Sequence, residues 1–293
     1  MRWKSRAIVA FDTETTGLEP FAGDRIIEFA AVVLQLDETG QIVGREDHSY
    51  LVNPGIPIPR KVTEITGISD GDVVDAPAFE EVADHVEALL RDSVSVAHNY
   101  PFDLAFLTKE FQRIGRWWPE PMAEIDTVDL SIRCFADAKS HKLGDVCARV
   151  GVELDGAHRA TNDAAACGEV FVALARRHEV EDDLQAMLDW SGAIGRPPEI
   201  GPIGLDEHSR VVFVEGPHVG APVSQHPIHL AWLEKARERG PGGWRFRFPE
   251  STRSWVRRWL EVRGAGRAKQ NPKSFHSEDW VLDSCIATRR VGT

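Results

Sequence analysis

No apolar run in this 293-residue chain approaches the length that spans a bilayer, so the sequence offers no membrane-spanning helix. The basic N-terminus Met1-Arg2-Trp3-Lys4-Ser5-Arg6 lacks the apolar core and small-residue cleavage site of a signal peptide. Cysteine is sparse: Cys134, Cys147, Cys167 and Cys285 show no CxxC spacing. Three of them fall in apolar helical contexts and read as reduced core residues. These absences together predict a cytoplasmic protein with no membrane partner. Positive charge is scarce too, with 34 Lys and Arg against 46 Asp and Glu and a net charge of −12. Taken whole, that balance is wrong for a nucleic-acid binder, but it is unevenly spread. Residues 235–273 hold twelve Lys or Arg and three Glu, a net of +9 (12 − 3), which leaves −21 on the remainder (−12 − 9). An acidic body with a basic C-terminal segment is the asymmetry to explain. The length allows one large domain or two unequal ones, and the composition is that of a soluble globular chain.

What is present is organised around Phe11-Asp12-Thr13-Glu14-Thr15-Thr16-Gly17. The β-branched stretch Ala7–Ala10 before it reads as a strand buried on both faces. Asp12 and Glu14 stand two residues apart, so in a strand they lean to the same side. Two such charges about 4 Å apart repel by roughly 4 kcal/mol at an effective dielectric near 20. A raised pKa or a bound cation must offset that, unless both acids are simply solvated at a strand end.

Downstream, 25–36 and 41–52 read as strands joined by the turn Asp37–Gly40, a hairpin. Pro77 opens a helix to about Arg91, with Phe79, Val82, Val86 and Leu89 on one face. Ser93–Ala97 is a short buried strand, followed by a helix carrying Leu104, Phe106, Leu107 and Phe111. Glu124–Thr127 is a further strand end, leading into a helix near 128–135. Helices follow at 142–150, closed by Gly151, and at 160–177. The pattern predicts an α/β fold over a mixed sheet. Asp103 follows a strand, Asp163 lies in the first turn of the helix 160–177, and His158 sits just upstream. Sites form at the carboxyl ends of strands in such sheets, so Asp12, Glu14, Asp103, Asp163 and His158 are candidates to converge. Taken singly, Asp103 and Asp163 also read as helix caps or dipole acids, and His158 as a surface residue.

In order and spacing, FDTETTG, HNYPFDLAFL and KLGDVCARVGVELDGAHRATNDA resemble the three exonuclease motifs of the DEDDh family, which includes the proofreading subunit of bacterial replicative DNA polymerases. The similarity covers about residues 6–177. It implies a ribonuclease H-like fold, a mixed five-stranded sheet flanked by helices. It places Asp12 and Glu14 in the first motif, Asp103 in the second, and His158 and Asp163 in the third. It implies 3′→5′ polarity, a terminal nucleotide received at Thr15, Thr16, Gly17 and Leu18, and contacts from His98 and Phe102 to the penultimate nucleotide. Phe102 reads equally as plain core. The chemistry agrees: carboxylates suit Mg²⁺ or Mn²⁺, and two such ions can clamp an in-line phosphoryl displacement. Asp12 is the natural shared ligand, Glu14 and Asp163 complete one ion, Asp103 serves the other through water, and His158 takes the proton of the attacking water.

These residues and the polarity that the resemblance implies together predict a metal-dependent 3′→5′ exonuclease releasing nucleoside 5′-monophosphates, with DNA ahead of RNA as substrate. Two alternatives stand beside it: an RNA or short-oligonucleotide exonuclease of the same fold, and a non-catalytic nucleic-acid-binding module. The expected domains are 1–180, the exonuclease domain; 181–204, a helix and a Gly- and Pro-rich linker; and 205–293, a smaller basic, Trp-rich α+β accessory domain. Phe213, Gly216, His218, Gly220, Pro227, Leu230 and Trp232 are faintly similar to a small module with the pattern FGKHKG then PxYLxWL, although Pro217 and Val219 replace its lysines and His229 its Tyr. Beyond it, aromatics alternate with Arg at 244–248. A helix from 251–252 then carries Trp255 and Trp259 beside Arg253, Arg257 and Arg258, candidate nucleic-acid contacts. Gln185–Trp190 resembles the short peptides that dock on a sliding clamp, a candidate partner; the competing reading packs it on the body.

Overall fold

The structure is a computed structural model that describes residues 1–116, 118–119, 121–154, 159–195, 197, 201–206, 211–240, 243–248 and 252–260. They form two compact units, one over Met1–Arg196 and one from Pro197–Asp206 and Val211 onward.

In the first unit, β1 (Ile8–Thr15), β2 (Ile26–Leu36) and β3 (Ile42–Leu51) pair antiparallel. After them come α1 (Arg60–Thr66), α2 (Asp70–Val73), α3 (Phe79–Leu90), β4 (Val94–Ala97), α4 (Tyr100–Arg113) and β5 (Ala123–Asp126). The unit closes with α5 (Thr127–Cys134), α6 (Leu143–Val150), α7 (Ala160–Arg177), α8 (Leu184–Ser191) and β6 (Ile194–Gly195). The sheet runs β3-β2-β1-β4-β5-β6, with β4 parallel to β1 and β5 parallel to β4. The mixed five-stranded sheet flanked by helices is therefore β1–β5. The stretch expected to be linker adds β6, a two-residue strand antiparallel to β5, so residues up to 195 stay with the first unit.

The period-two alternation of β1 builds two cores. Ile8 and Ala10 point to a layer formed by α7, with Ala164, Cys167, Val170, Phe171 and Leu174. Val9 and Phe11 point to the opposite layer, with Phe79, Val82 and Val86 of α3 and Leu104, Leu107 and Phe111 of α4. Half-buried Leu89 packs on this core as expected, and Leu90 beside it is fully buried in it. The outer strand β3 is mostly exposed and carries Arg45, Glu46, Asp47 and His48, charges that discourage edge pairing. α1 and α2 are short and mostly polar, and no periodicity announces them. Cys147 and Cys167 are buried thiols and Cys134 is half-buried, as expected; Cys285 lies outside the described residues. No described helix is long and apolar enough to cross a membrane.

Gly168 lets α7 lie close on the sheet. A Cβ there would stand 2.8 Å from Leu34 Cδ1 and 2.9 Å from Ala10 Cβ, both in the core. Overpacking of about 1–3 kcal/mol outweighs the gain of about 1 kcal/mol from alanine's helix propensity. Gly168→Ala is expected to cost roughly 1 kcal/mol net in denaturant unfolding; an unchanged midpoint would mean that α7 sits further from the sheet.

The second unit pairs β7 (Ile203–Leu205) with β8 (Val211–Phe213), then carries α9 (Pro227–Lys235), the hairpin β9 (Arg237–Gly240) and β10 (Gly243–Phe246), and a helix α10 at 252–260. It is an α+β arrangement. Phe213 is fully buried with the rings of His218, His226 and His229 within 6.1 Å, and Leu230 is buried beside them in the same unit. The module's Phe and Leu positions thus serve packing.

Candidate active site

The parity that puts Ile8 and Ala10 against α7 carries Asp12 and Glu14 to the same side, further along β1. The first turn of α7 delivers Asp163 there. One carboxylate oxygen from each of Asp12, Glu14 and Asp163 lies within 4.8 Å of the others. Asp103 arrives from the opposite layer. It is buried in the first turn of α4, and its Oδ1 accepts hydrogen bonds from Thr13 N (3.0 Å) and Thr13 Oγ1 (2.7 Å). The intervening residue of β1 thus anchors the fourth acid beside the other three. His158 lies outside the described residues.

Burial and mutual repulsion dominate the electrostatics. Desolvation, then the charges of Asp103, Glu14, Asp163 and Glu28, hold Asp12 well above the usual carboxylate range. Glu14 is pushed up to about 7 by burial, then by Glu28, Asp163 and Asp103, with Arg159 opposing. Asp103 is pushed up to about 7 by burial, against its hydrogen bonds from Thr13. The nearby thiols follow: burial, with Asp163 next, raises Cys147 to about 11.

Glu28 is the acid that the motif reading missed. It lies opposite Glu14 in the β1–β2 register, is 5 % exposed, and accepts a hydrogen bond from Ser49 Oγ at 2.8 Å. Its signal was available: a lone acid within the otherwise apolar strand RIIEFAAVV.

Three hard oxygen donors within one short span, self-repelling when bare, fit a divalent cation. The raised pKa values of Asp12 and Glu14 carry a consequence. Ionising Glu14 costs more in the folded chain than in the unfolded one, so stability present below about 4.5 is lost as pH rises through about 7. In EDTA the melting temperature is expected to fall by roughly 5 °C between pH 5 and 8. Mg²⁺ or Mn²⁺ should reduce that slope; a metal-free melting temperature that rises over this range would contradict the repulsion.

The turn after β1 is tightly tied. Thr15 Oγ1 donates to Gly17 O at 2.6 Å, and Thr16 Oγ1 accepts from Arg25 N at 3.0 Å. A Cβ on Gly17 would lie 2.2 Å from Asp24 Oδ2, so any larger residue must displace that carboxylate from its hydrogen bond with Glu19 N. Leu18 and Phe21 stand out at 70 % and 52 % exposed. His98 Nδ1 lies 2.8 Å from Thr127 Oγ1, within hydrogen-bond distance, and the ring also hydrogen-bonds the His141 backbone. Burial lowers that ring to about 4 and keeps it neutral. Phe102 is half-buried, its ring 5.0 Å from that of Phe106.

A carboxylate centre thus stands at the end of the central strand of this mixed sheet. The chain belongs to the exonuclease family RNase_T, whose model matches residues 9–171. It is similar to a DNA polymerase III subunit epsilon-like protein of Rhodobacter capsulatus, 40% identical over 168 residues, 57% of this chain and 23% of that protein. The 3′-5′ exonuclease DinG of Bacillus subtilis is 39% identical over 166 residues, 57% of this chain and 17% of that protein. The chain thus spans less than a quarter of the length of these relatives. Escherichia coli exonuclease I in its zinc-bound complex with single-stranded DNA shares the fold, with a TM-score of 0.51 at 19% identity over 64% of this chain and 42% of that one.

Proposed function

We propose that the chain is a 3′→5′ exonuclease that hydrolyses the terminal phosphodiester of DNA and releases nucleoside 5′-monophosphates. The convergence of Asp12, Glu14 and Asp163 in a chain of the exonuclease family carries this reading. Asp12, Glu14, Asp163 and Asp103 would hold two divalent cations, Mg²⁺ or Mn²⁺, with Asp12 shared. Such ions supply charge stabilisation at the phosphoryl oxygens and a more acidic water. Asp103 is positioned for its part by Thr13, which fixes its carboxylate before any ion is bound. His158, with an unperturbed pKa near 6.5, accepts the proton of the attacking water. The turn at Thr15, Thr16, Gly17 and Leu18 receives the terminal nucleotide: Gly17 keeps the backbone open to approach, and Leu18 offers apolar surface to a base. Phe102 contacts the penultimate nucleotide by packing, and His98 does so as a neutral ring.

Substrate class is tested by following nucleotide release from DNA and RNA strands of one sequence under limiting enzyme. Faster loss of the DNA strand supports the reading; preferential loss of RNA, or of very short oligomers alone, transfers the same chemistry to the alternative substrate.

In the accessory unit, Arg253, Arg257 and Arg258 on α10 serve as further nucleic-acid contacts. Arg257 is exposed and bonds Glu234 at 2.8 Å, a surface pair of little energetic weight that a phosphate can displace.

The segment Gln185–Trp190 lies in α8. Met187 is fully buried, Trp190 packs on Phe171 (6.3 Å) and His178 (5.9 Å), and Gln185 bonds Asp189 at 2.8 Å. Its apolar side chains serve the body, which supports packing over docking on a clamp. Pull-down with the host sliding clamp is expected to show no dependence on Gln185; loss of capture in Gln185→Ala would reinstate the docking role.

A further inference from the structure

Among the described residues, the hairpin of the accessory unit has a face that is covered only in part, at Phe246, and open at Trp244. In the β9–β10 register Trp244 stands opposite Arg239, Phe246 opposite Arg237, and Arg245 opposite Glu238. Residues two apart on a strand share a face, and directly opposed pairs share it with them. One face therefore presents Trp244, Phe246, Arg237 and Arg239. The other holds the Arg245–Glu238 ion pair at 2.7 Å. Trp244 is 71 % exposed and Phe246 40 %, while Trp255 and Trp259 of α10 are 8 % and 5 % exposed. The aromatic and basic stretch, uniform in sequence, thus divides in structure: the helix rings fill a core and the strand rings do not.

Charge selects what would cover that face. Residues 235–260 carry eight Lys or Arg and two Glu, a net of +6 (8 − 2). Arg237 and Arg239 are exposed. The guanidinium of Arg237 lies 4.8 Å over the Phe246 ring and that of Arg253 3.5 Å over it. An open indole flanked by cations suits a ligand with flat rings and regular negative charge. Single-stranded nucleic acid has both, whereas a duplex keeps its bases stacked on one another. A large ring left in solvent beside such charge is what an interaction surface requires.

We propose that the β9–β10 face is a platform for single-stranded nucleic acid: a base stacks on Trp244, and Arg237 and Arg239 hold the adjoining phosphates. The exonuclease reading supplies its purpose, gripping a strand whose end is hydrolysed elsewhere, but the platform stands on its own residues.

The test measures fluorescence anisotropy of the full chain with a labelled oligothymidylate and with a blunt duplex, in EDTA, over a salt series. Trp244→Ala should weaken single-strand binding roughly 5- to 100-fold, with Trp244→Phe retaining most of it and duplex binding responding far less. Replacing Arg237 and Arg239 together by Ala should lower the slope of log affinity against log salt by roughly 1.4, about 0.7 per phosphate. Far-UV circular dichroism confirms the fold of each variant. Unchanged affinity and slope in both variants would overturn the platform and assign the face to an acidic protein partner. Nucleotide release by the wild-type chain is followed in parallel. Trp244-dependent binding without any hydrolysis would sink the exonuclease reading and leave the platform; hydrolysis with Trp244-independent binding would do the reverse.

Discussion

Replacing Asp12 or Asp163 by Ala is expected to abolish nucleotide release while leaving the chain folded. Both residues belong to the carboxylate group that gathers within 4.8 Å. Each substitution removes a donor from the site proposed to hold cations. Asp12 stands at the centre of the repulsion, faced by Asp103, Glu14, Asp163 and Glu28. Its loss should therefore relieve the metal-free protein, leaving its melting temperature unchanged or raised. Core substitutions behave in the opposite way, since a buried group that packs or bonds costs stability when removed. Activity assays with and without Mn²⁺, together with melting curves in EDTA, read both halves of the expectation. Turnover near that of the wild type in either variant would show that the site is assigned wrongly. A large drop in the metal-free melting temperature would give the acid a structural role instead.

The second large effect is kinetic. His158→Ala is expected to lower turnover roughly 10²–10⁴-fold while metal affinity barely moves. A general base acts on the proton of the attacking water and leaves the donor set of Asp12, Glu14 and Asp163 intact. The rate–pH profile should also lose its rise through the histidine range, near 6.5 in an unperturbed side chain. Calorimetric Mn²⁺ titration beside the kinetics separates the roles. If affinity and rate fall together, His158 is a ligand or a structural residue and the base lies elsewhere.

Much of this was legible in the chain because local pattern and tertiary contact agree. The continuous apolar run Ala7–Ala10 marks a doubly buried strand, and the period of two in that strand aims Asp12 and Glu14 at the α7 side. The small residues of ATNDAAACGEV both define a helix from 160 and let it lie against β1, which brings Asp163 to the other two acids. Glu28 was hidden because its importance depends on register: nothing in RIIEFAAVV says which residue of β1 it will face. The same holds for Thr13, whose hydrogen bonds to Asp103 cross 90 residues of chain. The C-terminal aromatics show the limit most clearly. Trp244 and Trp259 both fall in the basic C-terminal segment, yet one is 71 % exposed and the other 5 %.

The most direct measurement uses a single DNA strand labelled at its 5′ end, incubated with the wild-type chain in Mg²⁺ or Mn²⁺ and, separately, in EDTA. The carboxylate site and the family together predict a ladder of strands shortened stepwise from the 3′ end, with nucleoside 5′-monophosphates as the other product and no reaction in EDTA. Immediate release of the labelled terminal nucleotide, internal cuts, or hydrolysis that persists in EDTA would contradict it.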